Sequence, residues 1–163
     1  MADVRYGHPS TAEAFLGHTI IRLAHLVARH VDRALAHLEL SSTSFAILLH
    51  LLNEPSLSAA ELARRVAITP QSAGPLLDRL EALGLVVRHR PGVRGAKVLT
   101  EVTEAGRARL HDAVGVVARV DRWLAGVLDP QQHDELADAL ARMLVRASAD
   151  SPPGSADASP DEG

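Results

Sequence analysis

The stretch that decides the fold is residues 57–90, LSAAELARRVAITPQSAGPLLDRLEALGLVVRHR. Near its start, Ser58 is followed three residues later by Glu61. This spacing is a capping box, in which the serine hydroxyl accepts a bond from the glutamate N–H and the carboxylate accepts one from the serine N–H. The sequence therefore predicts a short helix over residues 59–66.

A second helix start follows at once, where Thr69 precedes Pro70. Threonine is a favoured N-cap residue, and proline is favoured at the first helical position because its missing N–H is not needed there. Gly84 stands where a left-handed residue is wanted to end the helix. The sequence predicts a helix from Pro70 to about residue 83, joined to the first helix by a tight turn at 67–69.

Two β-rich runs come next, over residues 85–90 and 96–102, separated by the sequence PGVRG at 91–95. Such runs around a glycine-containing connection predict a β-hairpin. Two short capped helices followed by a hairpin are typical of a winged helix-turn-helix, whose second helix enters the major groove of DNA. The predicted fold class is mainly α with a small β-hairpin wing and flanking dimerisation helices.

Apolar residues at helical spacing extend outward on both sides of this motif. The apolar stripe that ends at Leu38 needs more partner surface than the rest of the chain offers, so we expect a homodimer. The predicted organisation is one domain over residues 11–147, with a loose arm before it and a disordered acidic tail after it. Its parts are the arm at 1–10, dimerisation helices at about 11–38 and 104–147, the winged helix-turn-helix at about 41–102, and the tail at 148–163.

Composition excludes several classes of protein. Hydrophobic residues make up 47% of the chain and aromatic residues only 2%, which predicts an aliphatic core. The absence of cysteine excludes disulfides, zinc–thiolate sites and thiol redox sensing. No signal-peptide pattern is present, and no run approaches the roughly 18 apolar residues of a membrane span. We therefore expect a cytoplasmic protein with no membrane contact.

The charge distribution is more informative than the net charge of −3. Residues 148–163 carry four acids and no lysine or arginine, so the rest of the chain carries −3 + 4 = +1. Within it, residues 64–97 hold seven basic and two acidic side chains, a balance of 7 − 2 = +5. A basic block of this kind is either a solvated surface or a surface for phosphate.

The predicted DNA contacts lie in three places along the motif. Small polar side chains in the first turn of the second helix can enter a major groove roughly 12 Å wide. A narrow cationic hairpin tip suits the minor groove, so Arg94 is the strongest single candidate. The predicted DNA-binding residues are Ser58, Thr69, Gln71, Ser72, Arg79, Arg88, Arg90, Arg94 and Lys97.

These segments resemble the MarR family of transcription regulators. LSAAELARRV at 57–66 resembles the third helix of that family, and LLDRLEALGLV at 76–86 is similar to the end of its recognition helix and the start of its wing. LTEVTEAGR at 99–107 is similar to the return strand and the next helix cap, and the resemblance covers roughly residues 12–147. It implies a triangular dimer on a pseudo-palindromic operator, acting as a repressor or activator. It also implies release from DNA by a small molecule, often phenolic or antibiotic-like.

Two features depart from the family pattern. The wing sequence RPGVRGAK at 90–97 lacks the family's acidic residues, so Arg79 has no wing acid to hold it and we expect it to reach phosphate. Gly74 and Pro75 interrupt the helical pattern, because glycine lowers helix propensity and proline removes a donor. The sequence therefore predicts a kinked or tightened first turn in the recognition helix.

The histidines and the family analogy give a second set of candidates. His18 and His25 are seven residues apart, as are His30 and His37, so each pair shares a helical face. No pair has the His-x3-His spacing that chelates a metal from one helix, so we expect no metal and no cofactor. By analogy with the family, an effector pocket is predicted near His18, Arg22, His25, His50, Arg119 and Trp123.

Two alternatives to a DNA-binding regulator stay open. The atypical wing, Pro75 and the acidic tail fit a winged-helix protein–protein module that has lost DNA binding. A small enzyme that uses the histidines is the other, but the sequence has no nucleophile elbow, phosphate-cradling loop or metal-ligand motif. We therefore predict that the chain is not an enzyme.

Overall fold

The computed structural model describes residues 15–90 and 97–149. Six α-helices and three strands follow one another in the order α1, α2, β1, α3, α4, β2, β3, α5, α6. Their bounds are α1 Leu16–Leu35, α2 Ser42–Asn53, β1 Leu57–Ser58, α3 Ala59–Arg65, α4 Pro70–Ala82, β2 Val86–His89, β3 Leu99–Val102, α5 Glu104–Ala125 and α6 Pro130–Ala149. The predicted helical fold with a small β wing is confirmed.

Side-chain caps set the helix starts that the sequence predicts. The Ser58 and Glu61 capping box forms at the start of α3, and the Thr69 side chain accepts from the Ser72 N–H at the start of α4. At the start of α6, the Gln132 N–H donates to the Asp129 carboxylate over 2.9 Å. Each cap satisfies one of the backbone donors that the first helical turn leaves open.

Thr103 caps α5 and also fastens it to the wing. Its Oγ1 accepts from the Gly106 N–H over 3.0 Å and donates to the Gly84 carbonyl over 2.7 Å. Its backbone N–H donates to the Leu85 carbonyl over 3.0 Å. Gly84 has a φ of 70°, the left-handed conformation predicted for the end of α4. One residue therefore joins the exit of α4 to the start of α5.

The core is aliphatic, as the composition predicts. It joins α1 and α2 to the winged motif and the first half of α5, with Leu35, Ile47, Leu48 and Leu62 each fully buried. Burying one such side chain stabilises the fold by about 1.5–3 kcal/mol. The same cluster includes Leu77 and Leu80 of α4, Leu85 and Val86 at the start of the wing, and Leu110 and Ala113 of α5. The buried side chains of α4, the predicted recognition helix, thus anchor it to the core.

The chain divides into two compact units, one ending at Val120 and the other beginning at Asp121. The second unit contains the end of α5 and the whole of α6, whose apolar residues Leu140, Met143 and Leu144 are exposed in the single chain. The predicted domain boundaries stay a prediction. In the described ranges, no single helix is both long and apolar enough to span a membrane. Leu16–Leu38 and Ser42–Asn53 pass that test only jointly, with a 76° bend.

The helix ends differ by a few residues from the approximate bounds that the sequence predicts. The first helix ends at Leu35 rather than residue 38, because a 3₁₀ turn follows and Glu39 is left-handed at φ 58°. Helix α6 continues to Ala149, two residues into the predicted tail, with the Ser148 hydroxyl donating to the Leu144 carbonyl over 2.8 Å. The rest of the tail, the arm at 1–10 and the hairpin tip at 91–96 lie outside the described residues.

The sequence also missed a strand. Residues Leu57 and Ser58 form β1, which pairs with β3 and gives a three-stranded antiparallel sheet in the order β1-β3-β2. A two-residue strand has no alternating pattern to detect, and Ser58 had already been interpreted as a cap. The sheet places the start of α3 beside the return strand of the wing.

Candidate nucleic-acid interface

The turn between α3 and α4 is fixed by backbone hydrogen bonds. The Ile68 N–H donates to the Ala63 carbonyl over 2.9 Å, and Ala67 adopts a left-handed φ of 54°. Ala63 itself is buried, so the turn is tied to the core of α3. This geometry sets the direction in which α4 leaves the turn, and with it the direction of its first turn.

The first turn of α4 presents small polar groups to solvent. Gln71 and Ser72 are exposed, whereas the next residue, Ala73, is completely buried and holds the turn against the core. The Ser72 N–H donates to both the Thr69 carbonyl over 3.0 Å and the Thr69 side chain over 3.2 Å. The same carbonyl also accepts from the Ala73 N–H over 3.1 Å, and α4 runs as one helix through Pro75. The kinked or tightened turn expected from Gly74 and Pro75 stays a prediction.

The wing arginines have partners on the recognition helix. Arg90 donates twice to the Glu81 carboxylate, over 3.0 and 2.7 Å, and Arg88 pairs with Asp78. The Arg88 side chain is only 15% exposed and that of Arg90 is 56% exposed. Arg88 lies in β2 and Arg90 directly follows it, and both reach acidic residues of α4. These ion pairs join the wing to α4.

The pairing of the wing arginines with Asp78 and Glu81 was not predicted from the sequence. In the charge balance these two acids only reduce the positive charge of residues 64–97, and the acidic partners expected for arginine were in the wing. The sequence does carry a signal for this contact, because Asp78 and Glu81 are three residues apart on α4, and Arg88 and Arg90 are two residues apart at the end of the extended segment that contains β2. Both spacings place their members on one face.

The Arg90 guanidinium bound to Glu81 holds the pKa of that carboxyl below its ordinary value of 4.5. A lowered folded-state pKa gives stability that is complete above the unfolded-state pKa and is lost as pH falls through the folded one. We expect Glu81→Gln to lower the melting temperature at pH 7 and to differ less from the wild type below pH 4.5. Differential scanning fluorimetry from pH 3 to 8 measures this.

A double-mutant cycle controls for effects unrelated to the pair. Arg90→Gln should lose the same pH-dependent increment as Glu81→Gln, and the double variant should lose no more than either. Additive losses with no pH dependence would show that the two side chains act independently.

The remaining predicted DNA contacts fall in different environments. Lys97 is 74% exposed and lies 3.9 Å from the Glu61 carboxylate. Arg79 lies on α4, exposed, and within the described residues it has no carboxylate partner. Ser58 is only 8% exposed, and its N–H and hydroxyl both donate to Glu61. Ser58 therefore forms the cap of α3, and its predicted contact with DNA stays a prediction. Arg94 lies outside the described residues.

The predicted effector residues are distributed over three helices. His18, Arg22 and His25 lie exposed on α1, and His50 lies half-buried on α2. On α5, Arg119 belongs to the first unit, and Trp123, 62% exposed, belongs to the second. In the part of the chain that the structure describes, no three histidine or acidic side chains come together in a group that could hold a metal.

The chain is similar to known proteins over most of its length. A family model described as the MarR family matches residues 38–95. The HTH-type transcriptional repressor Rv2887 of Mycobacterium tuberculosis is 34% identical over 139 residues, covering 85% of this chain and 96% of the repressor.

Solved structures agree with this assignment. The crystal structure of M. tuberculosis Rv2887 with DNA has a TM-score of 0.65 at 32% identity, covering 80% of this chain and 98% of that one. The same protein with salicylic acid gives a TM-score of 0.67, covering 80% and 96%. The repressor CouR, bound to a 23-mer DNA duplex, gives a TM-score of 0.71 at 29% identity, covering 80% and 92%.

Proposed function

This chain belongs to the MarR family, and from that premise we propose which of its residues bind DNA and how a ligand regulates it. It is a DNA-binding transcription regulator that acts as a homodimer and responds to a small molecule. We propose that it is a cytoplasmic repressor without enzymatic activity. The relative named a repressor, at 34% identity, supports this proposal.

The DNA-binding proposal rests on one observation: the first turn of α4 exposes polar side chains, and the residue that follows them is buried in the core. Gln71 and Ser72 point outward, while Ala73 is fully buried beneath them. This turn can therefore enter the major groove without disturbing the core. Glutamine pairs with adenine through its amide, and serine accepts or donates to either base. We assign base contacts to these two residues and phosphate contact to Thr69 at the cap.

The wing arginines divide into two roles in this proposal. Arg88, mostly buried and paired with Asp78, positions the wing on α4. Arg90 and Lys97, both largely exposed, are available to exchange a carboxylate partner for phosphate, and Arg79 adds a charge on α4. An exposed ion pair is worth only about 0–1 kcal/mol, so phosphate can displace it. Arg94 at the hairpin tip is assigned to the minor groove.

Ligand release is assigned to the predicted effector pocket. The relative Rv2887 has been solved with salicylic acid and with p-aminosalicylic acid, both aromatic acids. Arg22 and Arg119 supply guanidinium groups that could pair with such a carboxylate, and His50 supplies a polar ring on α2. We propose that an aromatic acid binds these residues and lowers the affinity for DNA.

Titration of a fluorescent duplex from the upstream intergenic region, beside a scrambled duplex, tests the regulator proposal. Tight binding to the upstream duplex should fall steeply with salt, since each neutralised phosphate releases counterions. For Arg94→Ala, affinity should fall and the salt slope should decrease by about one per half-site. Arg142→Ala on α6 removes an equal charge far along the chain and should leave both unchanged.

The same titration separates the regulator from its alternative. Two arginines of the wing are neutralised by Asp78 and Glu81, which is the observation that favours a protein–protein module. Equally weak binding to both duplexes, unaffected by Arg94→Ala, would favour that module. Binding to the upstream duplex alone would exclude it.

A further inference from the structure

A cavity of about 400 Å³ opens within the first unit, among the end of α1, the start of α2 and α4. This volume falls in the range of roughly 300–1,000 Å³ that small-molecule sites occupy. The residues that line it include the acidic Asp32 and Glu39, the basic Arg79 and the apolar Leu40 and Leu76. None of these belongs to the predicted effector pocket, so the cavity is a separate feature.

The two carboxylates of the cavity are open to a ligand. Asp32 uses one oxygen, Oδ1, to accept from the Ser42 N–H over 2.6 Å, which leaves its other oxygen available. Glu39 is exposed, and although its backbone N–H donates to the Ala36 carbonyl, its carboxylate has neither a hydrogen bond nor an ion pair within the described residues. A ligand ammonium could therefore pair with both without displacing an existing bond.

The neighbouring acids of the winged motif are in a different state. Asp78 and Glu81 are paired with wing arginines, and Glu54 is paired with Arg65. Arg79 follows Asp78 directly on α4 and is the basic residue among those that line the cavity. The lining therefore carries two negative charges and one positive charge. This balance disfavours a simple anion and favours a ligand with a cationic group.

We propose that this cavity is a second regulatory site, which binds a small amphipathic amine. The ligand's ammonium group pairs with Asp32 and Glu39, its apolar body packs on Leu40 and Leu76, and a hydrogen-bond acceptor on it faces Arg79. This site differs in ligand charge from the aromatic-acid pocket proposed above. Its regulatory role rests on the proposed DNA-binding function, whereas amine binding does not.

The site is connected to DNA binding through α4. Leu76 and Arg79 lie on the helix whose first turn carries Gln71 and Ser72. A ligand held between these residues and the α1–α2 side restrains the position of the recognition helix. Because coupling between two sites is reciprocal, operator DNA must change the amine affinity by the same factor as the amine changes the DNA affinity.

Calorimetric titration of the full chain tests the site with three probes of similar shape. These are phenethylamine, 2-phenylethanol and 3-phenylpropionate, which differ in charge. We expect heat from the amine and none from the alcohol or the acid at this site. Asp32→Asn, which keeps the acceptor for Ser42, and Glu39→Gln should each weaken amine binding by about three- to fivefold, as for exposed ion pairs.

The control is Asp112→Asn, which removes one negative charge from the exposed surface of α5 and should leave amine affinity unchanged. Amine affinity that is unaffected by both cavity variants, absent amine binding at millimolar concentration, or tighter binding of the acid that is lost in Arg79→Gln would each overturn the proposal.

Fluorescence anisotropy with the upstream duplex, with and without phenethylamine, tests the coupling separately. A shift in DNA affinity that disappears in Glu39→Gln supports a regulatory site. Intact DNA binding that the amine does not change overturns the regulatory role while leaving the regulator function standing. Amine heat without any DNA binding would instead contradict the proposed function and leave the amine site standing.

Discussion

Replacing Gly106 with alanine is expected to destabilise the folded protein by about 3 kcal/mol, since overpacking of this kind costs about 1–3 kcal/mol and sometimes more. A Cβ atom at this position would collide with the backbone oxygen of Leu85 and lie 2.7 Å from Val102 Cγ2. The Leu85 oxygen cannot move freely, because it accepts the bond from the Thr103 N–H. Urea unfolding followed by circular dichroism, at one fixed protein concentration, measures the loss.

Gly115 provides a matched control on the same helix. It is exposed, and an added Cβ there would meet nothing within 4 Å. Gly115→Ala should therefore gain helix propensity and stabilise the protein by up to about 1 kcal/mol. If Gly106→Ala lowers the free energy of unfolding and Gly115→Ala raises it, the close approach of the Leu85 backbone is the reason that position 106 requires glycine. Equal stability of the two variants would contradict that reason.

Gln71→Glu is expected to abolish tight operator binding while preserving the fold. The substitution keeps the size of the side chain and puts a negative charge at the second residue of α4, where the helix N-terminus favours anions by about 0.3–1 kcal/mol. On DNA, the lost base contact costs about 1–3 kcal/mol in each half-site, so about 2–6 kcal/mol for the dimer. Anisotropy titration should show a weakening of well over tenfold, with an equal or higher melting temperature.

Gln131→Glu is the corresponding control. Gln131 follows Asp129 and Pro130 at the start of α6, as Gln71 follows Thr69 and Pro70 at the start of α4. The same charge change at the same helical position should leave operator binding unchanged. A loss of binding in both variants would point to net charge rather than to contact by α4. Unchanged binding in Gln71→Glu would remove α4 from the base-reading role.

The sequence predicted the features that local chemistry controls. The capping box at Ser58, the N-cap at Thr69 and the left-handed Gly84 each depend on a few adjacent residues, and each was found where predicted. Fold class followed from these local signals, because their order is typical of one motif.

Features that depend on residues distant in the sequence were not predicted. The pairing of Leu57 with Thr100 joins segments more than forty residues apart, and no local pattern marks it. The ion pair between Arg90 and Glu81 forms only because the wing folds back beside α4. The cavity beside Asp32 depends on three helices meeting. Sequence reasoning identified the charges in each case, but only packing decides which of them meet.

The hydrogen bonds made by Thr103 have a consequence for how the winged motif is positioned on an operator. Thr103 caps α5 and is also hydrogen-bonded to the carbonyls of Gly84 and Leu85, which follow α4. The C-terminal end of α4 and the start of α5 are therefore held together. We therefore expect substitutions in the first half of α5 to change the position of α4, and with it operator binding, without altering any residue proposed to contact a base.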